Sequence, residues 1–319
     1  MNININPSAN QHLPKIIKQA INNNLDIQIC MCSDLNFMNP TLISINSLLT
    51  NTKYPHNLIN INLVITKDTL SKWNHTINDK IRKKYPNVKF TLREFISPEP
   101  LKIILQAYRN NPEIKKLTCY HTITNDLNYA RFYLPCIFPK LDRVIYLDGD
   151  TLITGRIEEL YWGISLTPKL WFGAIDAHKL GTNYFNYLHP KLGGYIRQIY
   201  PEKELIFNAG VYITSFKQWK KNDTTVKLEK WCIFNIQVAE NLIYYSGTEA
   251  PLNLVFNPNN RIRISCRWNM VTKWKKRYPI QVKDACIIHF KGPRKPWLKN
   301  NQEKEIFCRL WDKYSVGVI

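Results

Sequence analysis

Two carboxylates one residue apart close an apolar run, Val144-Ile145-Tyr146-Leu147-Asp148-Gly149-Asp150. Hard divalent cations such as Mg²⁺ and Mn²⁺ take oxygen ligands, commonly one or two carboxylates together with the oxygens of a substrate phosphate. A strand delivering both acids at its carboxyl end suits such an ion. Gly149 between them would let the backbone turn and a diphosphate come close. Asp-Gly is also an ordinary turn pair, so the motif alone leaves both readings open.

Two distant segments bear on that choice. In Ile287-Ile288-His289-Phe290-Lys291-Gly292-Pro293-Arg294-Lys295-Pro296-Trp297, an apolar strand ends at a histidine and a basic Gly-Pro loop follows. Imidazole is a good third ligand for Mn²⁺, the Gly292 amide can point at a phosphate, and Lys295 can neutralise a departing diphosphate. The plainer alternative is a satisfied histidine beside an ordinary basic loop. In Cys32-Ser33-Asp34-Leu35-Asn36-Phe37, small and acidic residues could bind the base and ribose of a nucleotide, with Asp34 accepting from ribose hydroxyls. Arg131, in Leu127–Leu134, could reach the same ligand from a helix end.

The elements needed to position these groups are visible as a strand–helix alternation. Apolar runs predict strands over Ile27–Cys32, Leu58–Thr66, Val88–Phe95 and Val144–Leu147. Pro40 opens an amphipathic segment over Thr41–Leu49, Asp68 starts a polar helix to Tyr85, and another helix spans Leu127–Ile137. Such spacing predicts βαβ units, a mainly parallel sheet and ligands outside the strands' carboxyl ends. Further on, Trp171–Ile175 and Ala209–Thr214 read as strands and Lys227–Asn241 as a helix. Leu180–Glu204 reads as an insertion whose Tyr184, Tyr187, His189 and Tyr195 either stack on sugars in an acceptor cleft or belong to the core. The Asn-rich first dozen residues read as loose, and the remainder, with no internal repeat or clean linker, as one domain.

Composition sets the outer bounds. With 44 Lys and Arg against 24 Asp and Glu in 319 residues, the net charge is +20. A surplus of that size attracts nucleic acid, acidic membrane surfaces, or phosphorylated and carboxylated substrates, though a solubilising surface explains much of it. The basic residues are spread, with knots at Lys80–Lys84, Lys273–Arg277 and Lys291–Lys299. The eight cysteines mostly sit in apolar runs and read as reduced core residues. No basic segment followed by an apolar one begins the chain, and no apolar stretch approaches the roughly 18 residues of a membrane span. A cytoplasmic protein is therefore expected, with attachment to an anionic membrane surface and homodimerisation left open.

In this order the segments resemble glycosyltransferase family 8, from about residue 25 to beyond 310. The resemblance rests on Asn128-Tyr129-Ala130-Arg131, the Asp-x-Asp motif with its strand, Phe207-Asn208-Ala209-Gly210-Val211, and the tail His289, Gly292, Lys295, Pro296 and Trp297. Gly247–Leu252 and Arg267-Trp268-Asn269 look closer to the plant galacturonosyltransferase-like branch than to bacterial members. Bacterial relatives usually carry Asp-Gln-Asp where this chain has Thr248-Glu249-Ala250, and the plant branch has an apolar residue where Glu249 stands.

The resemblance implies an α/β protein of the GT-A-type nucleotide-diphospho-sugar transferase fold, with a mainly parallel central sheet flanked by helices. Residues of about 25–160 would form its nucleotide-binding half and 161–319 its sugar and acceptor half. It implies retaining transfer from a UDP-sugar to a glycan, protein or lipid-linked sugar. Mn²⁺ (or Mg²⁺) would sit on Asp148, Asp150 and His289, and the uridine pocket on Cys32, Asp34 and Asn36. Arg131 and Gly149 would touch the donor, Gly292 and Lys295 its diphosphate, and Asp176, Asn208 and Ala209 its sugar. A carboxylate at Glu249 could stabilise or covalently trap an oxocarbenium ion; the alternative is a surface or acceptor-binding glutamate.

Rival classes fit less well. A nucleic-acid-binding protein would use the charge directly but leaves Asp148, Asp150 and His289 unexplained. A glycoside hydrolase needs carboxyls about 5 Å or more apart, flanking a bond, which adjacent acids on one strand end do not suit. An inactive relative that only binds a glycan or polyanion is the remaining alternative.

Overall fold

The computed structural model describes residues 9–117, 119–176, 185–237, 242–298, 305–315 and 317–318. Its strands in chain order are β1 (Ile27–Ser33), β2 (Ile59–Ile65), β3 (Lys89–Glu94), β4 (Arg143–Leu147), β5 (Thr151–Ile153), β6 (Phe172–Asp176), β7 (Phe207–Ser215), β8 (Ile262–Arg263), β9 (Met270–Val271) and β10 (Ile287–His289). The main helices are α1 (Ala9–Asn22), α2 (Met38–Asn51), α3 (Leu70–Ile77), α4 (Glu99–Asn110), α5 (Asp126–Ile137), α6 (Ile157–Gly163), α7 (Thr224–Ile236), α8 (Glu249–Val255) and α9 (Glu305–Ser315).

A seven-stranded sheet runs in the order β3-β2-β1-β4-β7-β6-β8. The first four strands are parallel, β7 lies antiparallel to both β4 and β6, and β8 is parallel to β6. The apolar runs of β1 and β2 are long because both faces of the sheet are covered. Alternation along β1 sends Ile27, Ile29 and Met31 to a core shared with α1, α2 and α6, while Cys30 faces the other core with α4, α5 and α7.

A smaller sheet, β5-β10-β9, stands beside the large one. Helix α2 lies between the sheets' elements and is buried all round from Thr41 to Leu49 rather than along one stripe. Its hydroxyls are accordingly bonded: Ser44 to Thr151 at 3.0 Å and Ser47, as acceptor, to the Ile153 amide at 2.9 Å. The chain therefore leaves β4, passes Asp148-Gly149-Asp150, and enters a different sheet at once.

Several local expectations are corrected. Residues 9–12 open α1, which continues through Pro14 and packs Ile17 and Ala20 into the core. Asp68 does not start a helix, since its φ of +61° places it in a left-handed turn and α3 begins at Leu70. That helix passes into a short π-helical stretch at Asn78–Arg82 instead of running on to Tyr85. Helix α7 starts earlier than Lys227, after Asp223 in the left-handed region, and ends at Ile236. All eight cysteines are free, but only Cys30, Cys232 and Cys286 are fully buried, and Cys136 is exposed.

Candidate active site

The β4–β5 switch places Asp148 and Asp150 at the carboxyl end of the parallel strands, and β10 brings the third group. β10 pairs antiparallel with β5 in a register that sets His289 opposite Thr151. The Phe290 amide also donates to the Asp150 carbonyl at 3.0 Å. One ligand atom each from Asp148, Asp150 and His289 lie within 4.8 Å of one another. His289 Nε2 is 3.2 Å from Asp150 Oδ1 and 3.8 Å from Asp148 Oδ2. Two carboxylates and an imidazole converging from separate elements form a donor set that fits a divalent cation such as Mn²⁺ or Mg²⁺.

Each ligand is held from behind. Asp148 Oδ1 accepts from Arg131 Nη2 and from the Tyr146 hydroxyl, both at 2.9 Å, which turns Oδ2 toward His289. Arg131 is buried in the body of α5, not at its end, and also donates to the Ala209 carbonyl and to Asn128. Burial works against its charge, but the neighbouring Asp148 carboxylate more than offsets that and keeps it protonated. Arg131 thus orients a site acid. Burial alone would raise the Asp150 carboxyl; the charges of His289 and Lys295 overcome it and hold Asp150 well below the usual carboxylate range. The Lys295 ammonium bonds Asp150 Oδ2 and the Phe290 carbonyl. Its loop begins with Gly292 at φ +96°, a conformation that glycine adopts without a Cβ clash. Trp297, farther along, packs edge-on against Phe37 of the loop after β1, with ring centres 6.0 Å apart.

Two glycines admit close approach. Gly149 has no left-handed φ; a Cβ there would strike Thr41 Oγ1, so it permits contact with α2 rather than a special turn. Gly210 on β7 lies directly beneath the triad: a Cβ would come within 2.7 Å of His289 Nδ1 and 2.8 Å of Asp148 Oδ2. Its carbonyl accepts from the Asp148 amide at 2.8 Å.

The remaining predicted residues divide. Asn208 and Ala209 are buried beside the triad, and Glu249, at the start of α8, joins them. Glu249 is not a free surface acid: it accepts from Asn208 Nδ2 at 2.8 Å, from the Ala209 amide at 3.3 Å and from Lys291 Nζ at 2.9 Å. Asp176 ends β6 clamped by Arg261 at 2.7 Å and Arg263 at 3.2 Å. Cys32, Asp34 and Asn36 follow one another at the end of β1, with Asp34 Oδ1 accepting from the Phe37 amide at 2.9 Å. Burial pushes the Cys32 thiol up to about 12, which favours its neutral form. In the 185–204 segment His189 is buried, Tyr187 half-buried, and Tyr195 exposed and stacked on Trp231 at 6.1 Å. Tyr184 lies outside the described residues.

The role of Asn269, buried with its Oδ1 3.0 Å from His289 Nδ1, was not legible in the sequence. Nor was that of Tyr146, or the grip of Arg131 on Asp148. Only the Asn208–Gly210 stretch carried a local signal, as a small-residue interruption in an otherwise apolar strand.

A mainly parallel sheet flanked by helices, with an acidic pair and a histidine at its switch point, is an arrangement shared with solved glycosyltransferases of the GT-A fold. The solved structure of the galactosyltransferase LgtC, in complex with donor and acceptor sugar analogues, superposes with a TM-score of 0.62 at 18% identity, covering 92% of this chain and 95% of that one. The glycosyltransferase GlyE of Streptococcus pneumoniae gives 0.60 at 17% identity over 92% of this chain and 63% of that one. The profile of Glycosyl transferase family 8 matches residues 28–301, and the chain belongs to that family. Among curated relatives, probable galacturonosyltransferase-like 4 of Arabidopsis thaliana is 26% identical over 301 residues, 91% of this chain and 79% of that protein. Glycosyltransferase 8 domain-containing protein 2 of Bos taurus is 27% identical over 318 residues, 91% and 82% respectively. Among the described residues no helix is long and apolar enough to cross a membrane.

Proposed function

We propose that the protein is a retaining transferase that moves a sugar from a UDP-sugar to a glycan or glycosylated acceptor. Asp148, Asp150 and His289 would hold Mn²⁺ or Mg²⁺ on the donor's diphosphate. One observation carries the reading: the three ligand atoms that converge within 4.8 Å come from β4's end, the β4–β5 turn and β10. A bound divalent cation supplies charge neutralisation for the leaving diphosphate.

The chain's own groups do the rest. Lys295, now on Asp150, is within reach of the same diphosphate, and the Gly292 amide is the adjoining donor. Transfer passes through an oxocarbenium-like state, so stabilising the leaving group lowers the barrier more than a strong nucleophile would. Cys32, Asp34 and Asn36 line the nucleoside pocket, where Asp34 accepts from ribose hydroxyls. Asn208 and Ala209 face the sugar, and Asp176 is the edge of that subsite, its charge balanced by Arg261 and Arg263. Arg131 and Gly149 serve the donor through the geometry of Asp148 and of α2. Glu249 is tied to Lys291 and Asn208, which supports a positioning role over a covalent one. We read the chain as one domain with a nucleotide-binding half to about residue 160 and a sugar and acceptor half beyond it.

Calorimetric titration of UDP with and without Mn²⁺ tests this. The wild type is expected to bind UDP in a Mn²⁺-dependent way, and Asp150→Asn to lose that dependence. Absence of UDP binding by the wild type under both conditions would overturn the reading.

A further inference from the structure

The histidine of the triad has two ring nitrogens, and a metal takes only the one without a proton. Which nitrogen that is follows from a chain of buried hydrogen bonds running away from the site. His289 Nδ1 meets Asn269 Oδ1 at 3.0 Å, Asn269 Nδ2 meets Asn208 Oδ1 at 2.9 Å, and Asn208 Nδ2 meets Glu249 Oε2 at 2.8 Å. Lys291 closes the outer end on both Glu249 oxygens at 2.9 Å. Asn208, Asn269 and His289 are each no more than 3% exposed.

Amide ends are interchangeable in shape, so the direction of such a chain has to come from groups that cannot swap roles. Three are present, two against the Asn208 amide and one, the Asn208 backbone carbonyl, against Asn269 Nδ2 at 3.5 Å. The Gly210 backbone N–H, only ever a donor, meets Asn208 Oδ1 at 3.1 Å. The Glu249 carboxylate, fixed as an acceptor by Lys291, meets Asn208 Nδ2. Either contact alone orients the Asn208 amide, and the two agree. With Asn208 Oδ1 facing Asn269, the Asn269 amide must present its nitrogen there and its oxygen to His289. His289 Nδ1 must then be the donor, which leaves Nε2, the atom facing Asp148 and Asp150, as the nitrogen a metal can take by displacing its proton.

We propose that Asn269 is a positioning residue that fixes the Nδ1–H tautomer of His289, with the direction of its amide imposed by Asn208, the Gly210 amide and the Glu249–Lys291 pair. This rests on the metal reading of the triad. It gives Glu249 a place in the site that needs no covalent step. It also links the donor-sugar residue Asn208 to a metal ligand through one intervening side chain. Outer partners that orient a ligating histidine typically account for about 10- to 100-fold in metal affinity.

The test uses the wild-type chain and three variants. Long-range ¹H–¹⁵N spectra of the imidazoles identify His289 as the ring whose signals vanish in His289→Gln. Its Nδ1 is expected to be protonated from acid through alkaline pH, whatever happens at Nε2. An unprotonated Nδ1 at any alkaline pH overturns the proposal without recourse to a variant. Mn²⁺ affinity, followed by the loss of the free-ion EPR signal, should fall about 10- to 100-fold in Asn269→Ala. Asn269→Asp, which keeps an acceptor against Nδ1, should recover most of that loss. Equal affinity in wild type and Asn269→Ala would sink the proposal while leaving the metal site standing. No Mn²⁺ binding by the wild type, with Nδ1 still protonated, would instead remove the metal reading and leave the tautomer assignment intact.

Discussion

Gly210→Ala offers the sharpest probe of how the triad is assembled. The added methyl would lie 2.7 Å from His289 Nδ1 and 2.8 Å from Asp148 Oδ2, against about 3.4 Å or more for ordinary contact. β7 cannot back away, because Val211 is paired with Leu147 and the Gly210 carbonyl holds the Asp148 amide. The imidazole and the carboxylate must therefore part by about 1 Å, a displacement that costs on the order of 100-fold when reacting groups are involved. The same crowding also costs about 1–3 kcal/mol of stability, as overpacking does in a filled core. Gly194→Ala is the control, since an added Cβ there meets nothing within 4 Å. The expected outcome is Mn²⁺ affinity lowered at least tenfold and UDP release lowered about 100-fold in Gly210→Ala, with a thermal midpoint a few degrees down, and none of these in Gly194→Ala. Wild-type metal affinity in a folded Gly210→Ala would refute the packing argument.

Three further outcomes are expected. Asp150, held below the usual carboxylate range, contributes stability that is present above about pH 3.9, its unfolded value, and is lost as pH falls toward its lower folded value. Urea unfolding below about pH 4 should therefore show a steeper acid decline in the wild type than in Asp150→Asn; parallel curves would contradict this. Asp176→Ala strands the fully buried Arg261 guanidinium and should cost about 3–5 kcal/mol in chemical denaturation, whereas breaking the exposed Glu305–Arg309 pair with Arg309→Ala should cost about 0.5 kcal/mol or less. With Ellman's reagent at neutral pH, exposed Cys136 should react quickly; buried Cys232, pushed up to about 12 by burial, should react only on unfolding.

What could be read from the chain alone follows from how far apart the cooperating residues are. β1, β2 and β4 stand out because strands covered on both faces are largely apolar, interrupted here at Gln28, Asn60 and Asn62. α1 did not, because an Asn-rich start and Pro14 obscure a helix whose buried face is only a narrow stripe. Asp68 has the composition of a helix start, but its left-handed φ is a tertiary outcome that residue type does not reveal. Asp148, Asp150 and His289 were legible because chemistry confines metal ligands to few residue types, and a family pattern joins them across the chain. Asn269 was not: an asparagine becomes informative only when β9 and β10 pair and set it against His289, 20 positions away. The Arg261–Asp176 clamp spans 85 positions and has no local trace. Arg131 was identified as a site residue, but that it grips Asp148 depends on how α5 packs on β1.

The proposed function requires that this chain release UDP from a sugar donor by means of the Asp148–Asp150–His289 centre. The most direct test is UDP release from a panel of UDP-sugars, with Mn²⁺ and with EDTA, by wild type and Asp150→Ala. Release from at least one donor by the wild type with Mn²⁺, suppressed by EDTA and abolished in the variant, is expected. Release that persists undiminished in EDTA or in Asp150→Ala, or none from any donor, would contradict the proposed function.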